Sequence, residues 1–358
     1  MMIPISRPEI GREEEEAVLR VLRSGRLAQG PEVAAFEEEF AELCRAPHAV
    51  ACANGTAALH LALLAHGIGP GDEVVIPSFT FAATANAVLA CGARPVFCDV
   101  REEDFCIDPD SAAERAGRAT RAIMPVHLYG RVADMEAVRA LASTRGWVVV
   151  EDACQAHGAI RNGTRAGGFA TAAFSLYATK NMMSGEGGVV TAQDDGVAQR
   201  LRLLRNHGME QRYVHVSFGL NLRMTEIQAA LARASMARLA DGNAARAENA
   251  AYYTKELSGI AGLILPEDDF GSVWHQYTVR LPARRDAVLK FLHDNEVGAE
   301  VYYPTPVHLQ PAFSADAVSL PVSERLAAQV ISLPVHPGLT KDERATVAET
   351  LRRAMIEA

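Results

Sequence analysis

A lysine, a carboxylate and a glycine turn each stand just past an apolar run in this 358-residue sequence, and each has chemistry within reach. The lysine is Lys180, in Phe174-Ser175-Leu176-Tyr177-Ala178-Thr179-Lys180-Asn181, with Ser184-Gly185-Glu186-Gly187-Gly188 after it. Desolvation in such a loop depresses an amine's pKa and favours the neutral form that makes imines with carbonyls. A single loop lysine is more often a solvated surface group, so Lys180 carries weight only in company. From the same stretch Ser175 could reach a phosphate. The carboxylate belongs to Glu151-Asp152-Ala153-Cys154-Gln155, which closes the apolar run 148–150. An acid at the end of a buried strand is expensive unless a cation or a donor meets it. A metal, a protonated pyridine nitrogen, a helix cap or an internal salt bridge would each serve. The turn is Asn54-Gly55-Thr56, where glycine lets the backbone approach a ligand and the following helix offers free N–H groups and a favourable dipole to a phosphate. A plain turn with a threonine cap fits the same residues. A fourth stretch, Gly219-Leu220-Asn221-Leu222-Arg223-Met224-Thr225-Glu226, precedes a helical pattern and says little alone.

Neither glycine cluster is a nucleotide loop. No Gly-Lys-Ser/Thr follows the Gly-Glu-Gly-Gly run, and Gly67-Ile68-Gly69 follows a helix rather than a strand. Taken jointly, the stretches fit pyridoxal phosphate better than any other cofactor. It needs a lysine for the imine, an acid opposite the pyridine nitrogen, a phosphate cradle and a flat apolar face for the ring. Phe79 and Phe81 are candidates for that face.

These residues must be positioned by an open α/β sheet, which binds ligands just past the carboxyl ends of its strands. Strand patterns fall at 48–53, 73–77, 95–100, 121–127, 147–153, 171–177 and 187–192, with helical stretches between most of them. Short apolar strands alternating with helices predict a largely parallel sheet covered on both faces. From 224 to 257 the sequence is Ala-, Arg- and Leu-rich without proline, which predicts one long connecting helix with Gly242 as a kink or break. Beyond it the pattern changes, through 273–281, a helix near 285–295, the run 299–304 and a final helix near 341–356. The reading is a large domain over 1–240 and a smaller α+β domain over 241–358.

Composition narrows the function. A formal charge of −9 and a pI near 5.7 disfavour a nucleic-acid or anionic-membrane surface. Six scattered cysteines form no C-x-x-C pair, so neither a zinc site nor a disulfide framework is expected. The N-terminus lacks the pattern of a signal peptide. The uncharged window 74–93 is long enough to span a bilayer, but Pro77, Ser78, Thr80, Thr84 and Asn86 interrupt it. A cytoplasmic, soluble protein is expected.

The ordered motifs resemble the DegT/DnrJ/EryC1/StrS family of sugar aminotransferases, within the aspartate-aminotransferase-like, fold type I superfamily of pyridoxal-phosphate enzymes. The likeness runs nearly end to end. It includes SGRLAQGPEVAAFEEEFAEL (24–43), NGTAALHLALLAHGIGPGDEVVIPSFTFAATANAV (54–88), PVFCDV (95–100), EDACQAHGA (151–159) and FSLYATKNMMSGEGG (174–188). RNHGM (205–209), GLNLRMTEIQAAL (219–231), YPTPVHLQPAF (303–313) and LPVHPGLT (333–340) complete it. The resemblance implies that Lys180 bears the cofactor and that Asp152 pairs with the pyridine nitrogen. It puts Gln155 near the phenolic oxygen, Gly55, Thr56 and Ser175 on the phosphate, and Phe81 against the ring. Asn221 falls where a residue reaches the phosphate of the neighbouring subunit's cofactor, implying a homodimer with shared active sites. Tyr303 and His308 fall in the segment over the sugar-nucleotide site, and Arg26 and Arg223 are candidates for a diphosphate, a solvated surface or an internal salt bridge fitting them as well.

The implied reaction moves an amino group from an amino acid, glutamate by resemblance, through pyridoxamine phosphate onto a nucleotide-linked 3- or 4-keto sugar. Dehydratases of the family can replace the lysine with histidine or add clustered cysteines; this chain keeps Lys180 and shows no cluster. Amination of a cyclitol ketone, sugar dehydration or a non-catalytic, cofactor-bound regulator are the rival readings. Leu220 and Leu222 stand where aromatic residues are common and Tyr302 where histidine is frequent, which bears on the substrate rather than the cofactor.

Overall fold

The computed structural model describes residues 2–267, 271–314 and 318–357. Two helices, α1 (Arg12–Ser24) and α2 (Pro31–Cys44), precede the first strand, β1 (His48–Cys52). Then follow α3 (Gly55–Ala65), β2 (Glu73–Pro77), α4 (Ala83–Ala90), β3 (Arg94–Cys98), α5 (Pro109–Arg115), β4 (Thr120–Ile123), α6 (Met135–Arg145) and β5 (Val148–Asp152). A small hairpin of β6 (Ile160–Arg161) and β7 (Thr164–Arg165) leads to β8 (Thr171–Ser175) and β9 (Gly188–Ala192). Seven of these strands make one sheet in the order β1-β9-β8-β5-β4-β2-β3. β2, β3, β4, β5 and β8 pair in parallel, whereas β9 is antiparallel to both β8 and β1. Every strand except β9 therefore points the same way, and the carboxyl ends of β1, β5 and β8 share one edge.

Strand periodicity explains why both faces are apolar. Ala49 and Ala51 of β1 and Ala172 and Phe174 of β8 enter one core, with Phe36 and Phe40 of α2. Their neighbours Val50, Cys52 and Ala173 enter the other, with Leu59, Leu61 and Leu63 of α3. Successive side chains alternate faces, so a strand buried on both sides reads as an unbroken apolar run. The α/β expectation, a mostly parallel mixed sheet between helices, is met.

After α7 (Asp195–Arg205) comes a short hairpin, β10 (Met209–Gln211) and β11 (Val214–His215). The predicted long helix is two helices, α8 (Glu226–Ala237) and α9 (Leu239–Leu257), and they break at Arg238. Gly242 lies inside α9, so the expected kink is displaced. Glycine costs only about 1 kcal/mol in a helix interior, and packing decides where the chain bends. Thr225 caps α8 through a reciprocal pair with Gln228. The remaining elements are β12 (Tyr277–Arg280), α10 (Arg285–Asp294), α11 (Pro321–Gln329), β13 (Val330–Leu333) and α12 (Lys341–Glu357). β12 and β13 pair antiparallel, and Tyr253, Tyr277, Leu292 and Leu351 form a third core that also takes in Ile3. The run 299–304 makes only a single bridge, Glu300 with Ser332. Among the described residues no helix is long and apolar enough to cross a membrane.

Candidate active site

The shared strand edge brings three of the sequence motifs together. Asn54 caps α3, its side chain accepting from the Ala57 N–H at 2.9 Å. The N–H groups of Gly55 and Thr56, the first two of the helix, have no partner among the described residues, as expected at an open helix start. Gly55 lies against β8 so closely that a Cβ there would sit 2.6 Å from the Ser175 Cβ. The glycine is required for the approach, and it places the Ser175 hydroxyl beside the helix terminus. Ser175 Oγ itself accepts only a weak bond from the Tyr177 N–H at 3.3 Å.

Asp152 ends β5 and is buried. Its Oδ2 accepts from Thr84 Oγ1 at 2.8 Å and its Oδ1 from the Cys154 N–H at 3.2 Å. Two donors leave unused lone pairs, which suits a further N–H facing the carboxylate. Its neighbour Glu151 points to the other side, where His127 Nε2 and the N–H groups of Gly167 and Ala170 occupy it. Gln155 is held by its Oε1, which accepts from the Tyr129 N–H at 2.8 Å, and its Nε2 donates to the Tyr303 hydroxyl at 3.1 Å. The Tyr303 ring lies 5.8 Å from that of Phe81, tilted by 33°. Burial, followed by the Asp152 charge, pushes the Tyr303 hydroxyl up, so it stays a neutral donor. Phe81 is 58% exposed while Phe79 is wholly buried against Phe105 and Tyr129. Of the two candidate stacking rings, only Phe81 is free to meet a ligand.

Lys180 lies in the loop after β8, half-buried, and among the described residues no hydrogen bond reaches its Nζ. Burial lowers its pKa, against the opposing pull of Cys154 and Asp152. The loop is fastened by the next residue. Asn181 Nδ2 donates to Asn243 Oδ1 and to the Val273 carbonyl, both at 2.9 Å, and its Oδ1 meets His275 Nδ1 at 3.0 Å. Asn243 in turn donates to the His157 carbonyl at 3.0 Å. His157 is fully buried, and burial, then the Lys180 charge, pushes it down to about 3. A neutral imidazole beside the lysine adds no like charge. The sequence assigns no role to Thr84, Asn181, Asn243 or His275, since each acts through a contact that only the fold makes.

The other predicted residues lie elsewhere in the chain. His308 is buried with Nδ1 on Ser78 Oγ at 2.5 Å and Nε2 on Glu324 Oε1 at 3.3 Å, so neither ring nitrogen is free for a substrate. Arg26 is exposed after α1, its N–H bonded to Ser24 Oγ. Asn221 is exposed, and Arg223 donates to it at 2.9 Å and to Asn206 at 3.4 Å. Among the described residues no group of three or more His, Cys, Asp or Glu side chains could hold a metal ion.

The residues present fit pyridoxal phosphate. An amine unbonded among the described residues, a carboxylate with spare lone pairs, a helix terminus behind an obligatory glycine and an exposed aromatic ring all stand at one edge. Comparison with known proteins agrees. The family model for the DegT/DnrJ/EryC1/StrS aminotransferases matches residues 8–352. The dTDP-3-amino-3,4,6-trideoxy-alpha-D-glucose transaminase of Streptomyces venezuelae is 44% identical over 351 residues, 96% of this chain and 92% of that protein. A pleiotropic regulatory protein of Geobacillus stearothermophilus is 41% identical over 354 residues, 96% of this chain and 94% of that one. The crystal structure of S. venezuelae DesV with a ketimine intermediate superposes with a TM-score of 0.93 at 43% identity, covering 97% of this chain and 95% of that one.

Proposed function

The chain belongs to the DegT/DnrJ/EryC1/StrS aminotransferase family, whose members depend on pyridoxal phosphate, and from that premise we propose that it moves an amino group from an amino acid, glutamate in our reading, to a nucleotide-linked 3- or 4-keto sugar. The observation that carries this is the Nζ of Lys180, unbonded among the described residues, on the same strand edge as Asp152, Gly55 and Ser175. Lys180 would hold the cofactor covalently, and the Gly55 and Thr56 N–H groups with Ser175 Oγ would hold its phosphate. Phe81 would stack on the ring and Gln155 would face the phenolic oxygen. When bound, the cofactor supplies an electron sink for the pair released when the donor's α-carbon loses its proton.

The chain's own residues do the rest. Lys180 Nζ, whose lowered pKa favours the neutral amine, would act as the base that takes the donor's α-proton and as the acid that gives it back. Asp152 keeps the ring nitrogen protonated, and Thr84 and the Cys154 N–H hold the carboxylate in place. With the sugar ketone as acceptor, Lys180 would move the same proton in the opposite direction. Tyr303, Arg223 and Arg26 are our candidates for the sugar nucleotide. His308, with both nitrogens engaged, contributes by fixing the 303–309 segment to Ser78.

We also infer a homodimer, in which Asn221 reaches the other subunit's cofactor phosphate, working in the cytoplasm where the six free cysteines would persist as thiols. A regulatory role is the second reading, favoured by the name of the Geobacillus relative. The visible spectrum separates the two. A yellow band that bleaches with glutamate and returns with one keto sugar from a C-3 and C-4 panel supports transfer and names the acceptor. A protein that stays colourless with pyridoxal phosphate sinks the Lys180 assignment. A stable yellow band indifferent to every amino acid favours regulation.

A further inference from the structure

Three arginines line the cavity that also holds Lys180, Thr179 and Asn181, and two of them are engaged. Arg7 donates to the Gly338 carbonyl at 2.9 Å and to Glu343 Oε1 at 3.0 Å. Arg238 donates to the Glu9 carbonyl at 3.0 Å and to Glu14 Oε1 at 2.5 Å. Arg246, on α9, is different. Only 7% of it is exposed, yet among the described residues no hydrogen bond or ion pair reaches its guanidinium. Burial pushes its pKa down to about 10, with the Glu9 charge opposing, so it stays cationic at neutral pH. Glu9 lines the same cavity but makes no ion pair with Arg246, and an incoming anion meets a guanidinium that is not already taken. A buried charge without a partner is costly, and a planar five-donor fork is built for a carboxylate or a phosphate.

We propose that Arg246 is the anchor for a carboxylate of the amino donor, holding the donor beside Lys180. The inference rests on the transamination reading, which requires a carboxylate-bearing amine in this site. The cavity is lined by Lys180 and Thr179 as well as Arg246, so an anion on this guanidinium belongs to the molecule that must bring its α-carbon to the lysine, which is the amino donor. Placement agrees, because α9 also carries Asn243, which holds Asn181 next to the reacting lysine. The donor and the lysine loop are thus secured by one helix.

Glutarate, a dicarboxylate without an amino group, tests the anchor without turnover. It is titrated calorimetrically into the pyridoxal-phosphate-loaded protein and into the loaded R246Q and R246K variants. R246Q should weaken glutarate at least tenfold and raise the glutamate concentration for half-maximal bleaching by a similar factor, with R246K in between. Unchanged glutarate binding in R246Q overturns the proposal. So does a variant that binds glutarate normally but reacts poorly with the keto sugar in its amino-loaded form, since the anion would then be the diphosphate. If R246Q does not fold, butanedione labelling of the unmodified protein decides, read by peptide mass spectrometry. Protection of Arg246 by glutarate supports the anchor, and labelling that glutarate leaves unchanged overturns it. A wild-type protein that no amino acid bleaches would refute transamination separately, because glutarate binding is read without it.

Discussion

The edge that carries Asp152 and Lys180 differs in kind from the hairpin that follows α7. At the edge, most polar groups are satisfied within the chain: Asp152 by Thr84 and Cys154, Gln155 by Tyr129 and Tyr303, Asn181 by three partners. At the hairpin the apolar groups are the ones left over. Tyr213 is 77% exposed, Phe218 68% and Val216 52%, and exposed apolar clusters of this sort mark interaction sites. Yet the hairpin is not loosely made. A Cβ at Gly208 would lie 1.8 Å from the Ser217 carbonyl oxygen, and one at Gly219 2.0 Å from the Gly208 nitrogen, so its base closes only because both are glycine. The reacting groups are assembled by one chain, and in the homodimer we propose the apolar tip is the surface offered to the second.

Removing the reacting amine probes the first half of that contrast and should have the largest effect. Lys180→Ala should lower amino transfer by roughly 10⁴-fold or more, the loss typical of a covalent catalytic group, and abolish the yellow band while leaving the circular dichroism unchanged. Activity above about a hundredth of wild type would move the chemistry to another group. Asp152→Asn comes next. The amide cannot hold the ring nitrogen protonated, so turnover should fall by about 10²–10³-fold while part of the cofactor remains bound. Equal losses for Asp152→Asn and Thr84→Val would instead assign most of the effect to positioning of the carboxylate.

The second half is tested at the tip. Phe218→Asp combined with Val216→Asp puts charge on the exposed face and should convert a dimer to a monomer in sedimentation velocity. Activity should fall by about tenfold or more if Asn221 serves the neighbouring cofactor, an effect in the range of one lost charge-assisted hydrogen bond. A monomeric variant with full activity would make each site complete within its own chain and erase the contrast.

How far the sequence could be read follows the same division. The carboxyl ends of β1, β5 and β8 were legible because buried parallel strands read as apolar runs and ligands gather where they end. Lys180, Asp152, Gln155 and Ser175 are therefore expected on one edge from their places at or just past those strand ends. Thr84 could not, since its bond to Asp152 joins residues 68 positions apart. Phe79 and Phe81 were indistinguishable by type, and only packing sends the first into the core and leaves the second exposed. The helix breaks at Arg238, four residues before Gly242, because glycine propensity is weaker than tertiary packing. His308 carried a motif position, but its burial between Ser78 and Glu324 depends on the β2 and α11 ends meeting.

The smallest expected effect concerns what the assembled edge costs the fold before any cofactor arrives. Burial lowers the pKa of Lys180 in the folded protein below that of an unfolded lysine. The folded state therefore binds its proton less tightly, and the lysine destabilises the fold wherever it is charged in both states. That penalty is full below the folded pKa and fades as pH climbs from there toward the ordinary lysine value, because the unfolded chain alone still carries the proton. Lys180→Met removes the desolvated charge and keeps the apolar stem. The cofactor-free variant should melt above the cofactor-free wild type at neutral pH, and the gap should narrow as pH rises toward the ordinary lysine value of 10.5. A gap that widens with pH would mean that the folded protein favours the charged amine, as in an ordinary salt bridge. The edge would then be no different electrostatically from any other surface of the molecule, and the preparation of Lys180 for chemistry would have to come from the cofactor alone.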